Sequence, residues 1–167
     1  AKIMRYFDTY ARALMREGIL QELAGLPLTV VGDWRGLEAS IPDTVRFAGP
    51  LDSKTVQDMA EHAKCIIDTT PAYYRSHERL FEGLAGGSLV AMIGKMDFND
   101  LNTSGALIQA SRPDHLADRI AQIWNYDEDL AQRADAGRAA VIHDHTWTSR
   151  ARCIKDALCG DTAPSYS

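Results

Sequence analysis

The chain has 167 residues, of which 46% are hydrophobic and 25% are charged, and its formal net charge is −5. These values are typical of one globular domain with a substantial core. The acidic charge disfavours nucleic acid or an anionic membrane as a general partner, and no apolar run approaches the roughly 20 residues that span a bilayer. No signal peptide is visible and the three cysteines are scattered, so the cytoplasm is the expected compartment.

Short apolar strands alternate with helices along the chain. The hydrophobic pattern predicts helices over residues 4–24, 53–63, 76–85, 113–124, 127–143 and from 146 or 148 to 158, with Ser53 capping the second of them. It predicts strands over residues 28–31, 45–48, 65–68, 89–93 and 106–108, and a polar loop over 97–104. This alternation indicates an α/β fold, a Rossmann-like doubly wound and mostly parallel sheet with C-terminal helices. We expect one domain over residues 1–160 and a flexible tail over 161–167.

The helix that starts near Ser76 and stops at a glycine pair is the most informative segment. Its predicted buried stripe consists of Leu80, Phe81, Leu84 and Ala85. Glu78 and Glu82 are four residues apart, so both carboxylates project from one side of the helix. The helix dipole accounts for Glu78 in the first turn, but not for Glu82 one turn later. Glu82 is therefore the candidate ligand for sugar hydroxyls, with a solvated carboxylate as the alternative.

Four motifs follow one another along the chain: V-V-G-D at 30–33, V-R-F-A-G-P-L at 45–51, E-R-L-F-E-G-L-A-G-G at 78–87 and H-T-W-T-S-R-A at 145–151. Together they resemble the C-terminal half of a GT-B glycosyltransferase of the group 1 type, over residues 28–158. The last two are similar to the bacterial group that includes CgeB-type spore proteins. The resemblance implies one half of a GT-B fold that binds a nucleoside-diphosphate sugar, as substrate and without a cofactor or metal, for transfer to an unknown acceptor.

The same resemblance implies a set of donor-binding residues. Glu82 would accept hydrogen bonds from the ribose hydroxyls, residues 76–79 would face the diphosphate, and the backbone of residues 50–51 would edge the base. The residues implied besides Glu82 are Gly32, Trp34, Pro50, Leu51, Tyr74, Ser76, His77, Glu78 and Arg79. Trp34 has the alternative of covering the sheet edge, and Arg79 that of pairing with a carboxylate such as Glu82.

Two departures from the family pattern bear on activity. Tyr74 stands where many retaining members carry a second glutamate, so the catalytic residues stay unassigned. The family also has a strand, a basic loop and an acceptor-binding N-terminal half before the first helix. We therefore expect this chain to need the acceptor-binding N-terminal half, which it lacks, as a partner. We expect the isolated chain to be inactive. The alternative hypothesis is a non-catalytic, degenerate GT-B module used for assembly or partner recognition.

The run His143-Asp144-His145 superficially resembles a metal cluster. Neighbouring residues on a helix point apart, and the sequence offers no further set of ligands. A cap or packing role is the favoured interpretation of this run.

Overall fold

A computed structural model describes residues 2–34, 41–70, 78–96 and 98–159, with side chains described from Phe7 onward. The helices are α1 (Lys2–Glu22), α2 (Ser53–Glu61), α3 (Glu78–Gly86), α4 (Asn99–Ser104), α5 (Pro113–Trp124), α6 (Asp127–Asp144) and α7 (Trp147–Cys159). The strands are β1 (Thr29–Val31), β2 (Arg46–Gly49), β3 (Cys65–Asp68), β4 (Leu89–Ile93) and β5 (Leu107–Ala110). No helix within these ranges is both long enough and apolar enough to cross a bilayer.

All strand pairs described are parallel. β1 pairs with β2, placing Val30 opposite Phe47. β4 lies between β3 and β5, with Val90 opposite Ile66 on one side and Leu107 on the other. Helices flank these sheets, with α1 packed on α5 and α3 packed on α6. The architecture confirms the predicted Rossmann-like α/β fold with parallel strands.

The core centres on β4 because neighbouring strands and helices cover it. Its residues Leu89 to Met92 are fully buried. On α3, Leu80 and Leu84 are also fully buried, while Phe81 and Ala85 are partly buried, which confirms the predicted stripe. Gly83 allows α3 to approach the sheet closely, since a Cβ there would lie 2.9 Å from both the Ile66 and Val90 side chains. This packing fixes the orientation of the remaining faces of α3.

Two predictions about where helices start can be compared with the structure. Asp52, and not Ser53, caps α2: its carboxylate accepts hydrogen bonds from the hydroxyl and the amide of Thr55, and these bonds lower the pKa of Asp52. At α7, the hydroxyl of Thr146 accepts a hydrogen bond of 3.1 Å from the amide of Ser149, which supports the earlier of the two predicted starts. The predicted tail over residues 161–167 lies outside the described part of the chain.

The predicted loop over residues 97–104 was wrong, because most of it forms α4. Leu101 is fully buried there, and Gly105 ends the helix in the left-handed conformation at φ +70°. A helix of six residues is too short to show a hydrophobic period of 3.6 residues, so the polar composition dominated the prediction.

Candidate functional site

A cavity of about 510 Å³ lies between α3, the end of α6 and the start of α7. Its walls are formed by Glu78, Phe81, Glu82, Ala85, Val141, His145, Thr146, Trp147 and Arg150. α3 follows β3 along the chain, so the beginning of α3 lies towards the carboxyl end of the parallel strands. Ligands of open α/β sheets bind at that end.

Both glutamates of α3 face this cavity. Glu78 and Glu82 are exposed and line the same wall, as their spacing of four residues predicts. Within the described ranges neither carboxylate forms an ion pair, so Glu82 is not paired with Arg79. Arg79 is exposed and does not line the cavity. Its positive charge and that of Arg12 lower the pKa of Arg16 on α1, after burial as the larger cause.

His145, at the end of α6, lines the cavity and contacts residues of α3 and α4. Its ring stacks on Phe81 with 5.1 Å between ring centroids, and it meets Phe98 edge-on at 5.4 Å. Its Nε2 donates a hydrogen bond of 2.6 Å to Asp100 on α4, and its side chain is only 13% exposed. His145 therefore has the packing role favoured from the sequence, and in addition it lines the cavity.

Another part of the cavity wall belongs to the first turn of α7. The guanidinium carbon of Arg150 lies 5.2 Å from the centre of the Phe81 ring and 6.0 Å from that of Trp147. The Trp147 side chain is 86% exposed. Sequence reasoning did not select these two residues as site members, although the H-T-W-x-x-R motif that contains them was the signal that could have done so.

The predicted residues after β1 and β2 do not line the cavity. The Gly32 amide, at φ +115°, donates a hydrogen bond of 2.9 Å to the carbonyl of Gly49 and so joins the ends of the two strands. The Trp34 indole donates a hydrogen bond of 3.0 Å to the Val31 carbonyl. Its ring packs against a small cluster of buried side chains beside β1, formed by Leu20, Val30, Ile41 and Val45. Pro50 and Leu51 are exposed just beyond β2. Trp34 therefore packs against buried residues beside β1 and does not line the cavity, and its role in donor binding stays a prediction.

Three further predicted donor residues, Tyr74, Ser76 and His77, lie outside the described residues. Within the described ranges, no group of three or more histidine, cysteine, aspartate or glutamate side chains is arranged to hold a metal ion. The two histidines of the run 143–145 bond to different carboxylates, His143 to Asp144 at 2.8 Å and His145 to Asp100 at 2.6 Å.

Comparison with known families decides the broad class of this protein. A family model described as glycosyl transferase-like matches residues 12–156, which include every described strand and both walls of the cavity. The chain belongs to this glycosyl transferase-like family. A comparison with curated proteins gave no match. The cavity between α3 and α7 therefore belongs to a glycosyl transferase-like domain. Its charged residues are candidates for a role in glycosyl transfer.

Proposed function

We propose that this glycosyl transferase-like domain binds the nucleoside-diphosphate sugar donor, with Glu82 as the ligand of the ribose hydroxyls. The observation that carries the proposal is the position of Glu82, whose carboxylate lines the cavity without an ion pair among the described residues. A carboxylate oxygen only accepts hydrogen bonds, so two neighbouring hydroxyls are suitable partners for the Glu82 carboxylate.

The diphosphate would lie at the beginning of α3. The leaving nucleoside diphosphate gains negative charge during glycosyl transfer, and fixed positive groups stabilise that charge. Burial, and after it the nearby charges of Arg12 and Arg79, lower the pKa of Arg16, and Arg79 brings positive charge to the first turn of α3. The amide groups at the start of α3 add the positive end of the helix dipole. These groups support transfer without a metal cofactor.

The finer assignments follow the motifs of the chain. The H-T-W-x-x-R motif at 145–150 favours the CgeB-like subtype of the GT-B group 1 enzymes. Tyr74 replaces a glutamate of the family pattern, so we propose donor binding and assign no catalytic residue. In this proposal the domain works in the cytoplasm of a bacterium beside an acceptor-binding N-terminal half, and Pro50 and Leu51 edge the nucleotide base.

Chemical-shift mapping tests donor binding. We expect millimolar UDP or GDP to shift the backbone amide signals of α3 around Glu82, while the signals of α5, which contributes no residue to the cavity, stay in place. The titration is done with the protein that carries the acceptor-binding half as well as with this chain. If neither protein shows a shift at millimolar nucleotide, the proposed function is wrong.

A further inference from the structure

Side chains of opposite charge line the same cavity. Glu78 and Glu82 line the wall formed by α3, and Arg150 lines the wall formed by α7. Among the described residues, none of these three side chains takes part in an ion pair. A cavity of about 510 Å³ that holds two carboxylates and one guanidinium in this way suits a ligand with hydroxyl donors at one end and an anionic group at the other.

The guanidinium of Arg150 packs against an aromatic ring. It lies 5.2 Å above the Phe81 ring, and the same ring stacks on His145, which Asp100 holds through a hydrogen bond of 2.6 Å. A cation–π contact does not use the N–H groups of a guanidinium as hydrogen-bond donors, so these groups can still donate to an oxyanion. The aromatic contact therefore orients Arg150 and leaves its hydrogen-bond donors available.

The contact with Phe81 keeps this donor set at the cavity. Phe81 and Glu82 both line the cavity, so Arg150, which packs on Phe81, shares it with the carboxylate that would bind the ribose. Arg150 also lies in the first turn of α7, where the helix dipole adds positive potential. A ribose and its phosphoryl group are joined by a few bonds, which matches one ligand that spans the two walls.

We propose that Arg150 binds a phosphoryl group of the same ligand whose hydroxyls Glu82 binds. This inference deepens the proposed donor-binding function and rests on it. It assigns a second cationic contact for the diphosphate, from α7 in addition to the start of α3. The alternative is that Arg150 only packs on Phe81 and does not contact the ligand. The experiment must distinguish this structural role from phosphoryl binding.

Arg150→Gln is compared with Arg152→Gln, which makes the same charge change at an exposed position of α7 outside the cavity. Affinities are measured by calorimetry for UDP, GDP, uridine and guanosine. We expect Arg150→Gln to weaken diphosphate binding roughly tenfold or more, because a charge-assisted hydrogen bond is lost, and to leave nucleoside binding unchanged. Arg152→Gln should leave the affinities for the diphosphates and for the nucleosides unchanged. Arg150→Lys keeps the positive charge and should lose less diphosphate affinity than Arg150→Gln. Melting temperatures show whether each variant remains folded.

Two results would overturn the role of Arg150: an unchanged diphosphate affinity, or an equal loss for nucleoside and diphosphate. Inorganic pyrophosphate separates this inference from the proposed function. If pyrophosphate binds in an Arg150-dependent manner while no nucleotide gains affinity from its nucleoside part, donor binding is wrong and the phosphoryl site stands. If the unaltered protein binds neither pyrophosphate nor nucleotides, both proposals are wrong.

Discussion

Glu82→Ala is expected to weaken nucleoside-diphosphate binding by roughly 10- to 100-fold. Hydrogen bonds to a charged group contribute about 1.5–3 kcal/mol, and the alanine variant loses the only acceptor proposed for the ribose hydroxyls. Glu82→Gln keeps one acceptor oxygen without the charge, so its nucleotide affinity should lie between those of the unaltered protein and of the alanine variant. Calorimetric titration with UDP and GDP measures the effect.

The control for this substitution is Glu128→Ala, an exposed glutamate in the first turn of α6 that does not line the cavity. Its affinity should equal that of the unaltered protein. A second comparison uses the 2′-deoxy nucleotide, which lacks one of the hydroxyls assigned to Glu82. The loss caused by Glu82→Ala should be smaller with this ligand, and an identical loss would argue against a contact between Glu82 and the 2′-hydroxyl.

Gly137→Ala is expected to lower the free energy of unfolding by about 2 kcal/mol. A Cβ at this position on α6 would lie 2.4 Å from the Cβ of Ala106 and 3.3 Å from the Leu84 side chain. The Cβ of Ala106 is attached directly to the backbone, so only a shift of α6 relieves the overlap, and overpacking of this kind costs about 1–3 kcal/mol or more. Alanine gains up to about 1 kcal/mol in helix propensity, which offsets part of the cost. Urea unfolding measures the net change.

Gly25→Ala is the matched control, because a Cβ there meets no atom within 4 Å. Its effect should stay within about 0.5 kcal/mol. Adding Ala106→Gly to Gly137→Ala removes the overlapping atom and should recover part of the lost stability. Equal stability of the Gly137→Ala and Gly25→Ala variants would show that α6 packs less tightly than described.

Much of the fold was predictable because its strands are short apolar runs bounded by turn residues. The strand predicted over residues 65–68 and the helix predicted over 113–124 agree with β3 and α5 at both ends. The buried stripe of α3 followed from its helical period. α4 was missed since six residues carry too little periodic signal, and the cap of α2 was misplaced by one residue because Asp52 and Ser53 both favour that position.

Only part of the candidate site could be predicted from the sequence, because the other part depends on contacts between distant segments of the chain. Glu78 and Glu82 share a face because of local helix geometry, which a sequence reveals. Another part of the wall comes from α7, more than 60 positions along the chain, and it is brought there by the packing of α6 on α3. The bond between His145 and Asp100 joins residues 45 positions apart. The H-T-W-x-x-R motif identified the segment, but not the cavity that it closes.

A structure of the protein bound to UDP or GDP would show directly whether Glu82 binds the ribose. We expect the two ribose hydroxyls at about 3 Å from the Glu82 carboxylate, inside the cavity between α3 and α7, with the diphosphate towards Arg150 and the start of α3. A nucleotide bound at another place, or bound with its ribose turned away from Glu82, would contradict it.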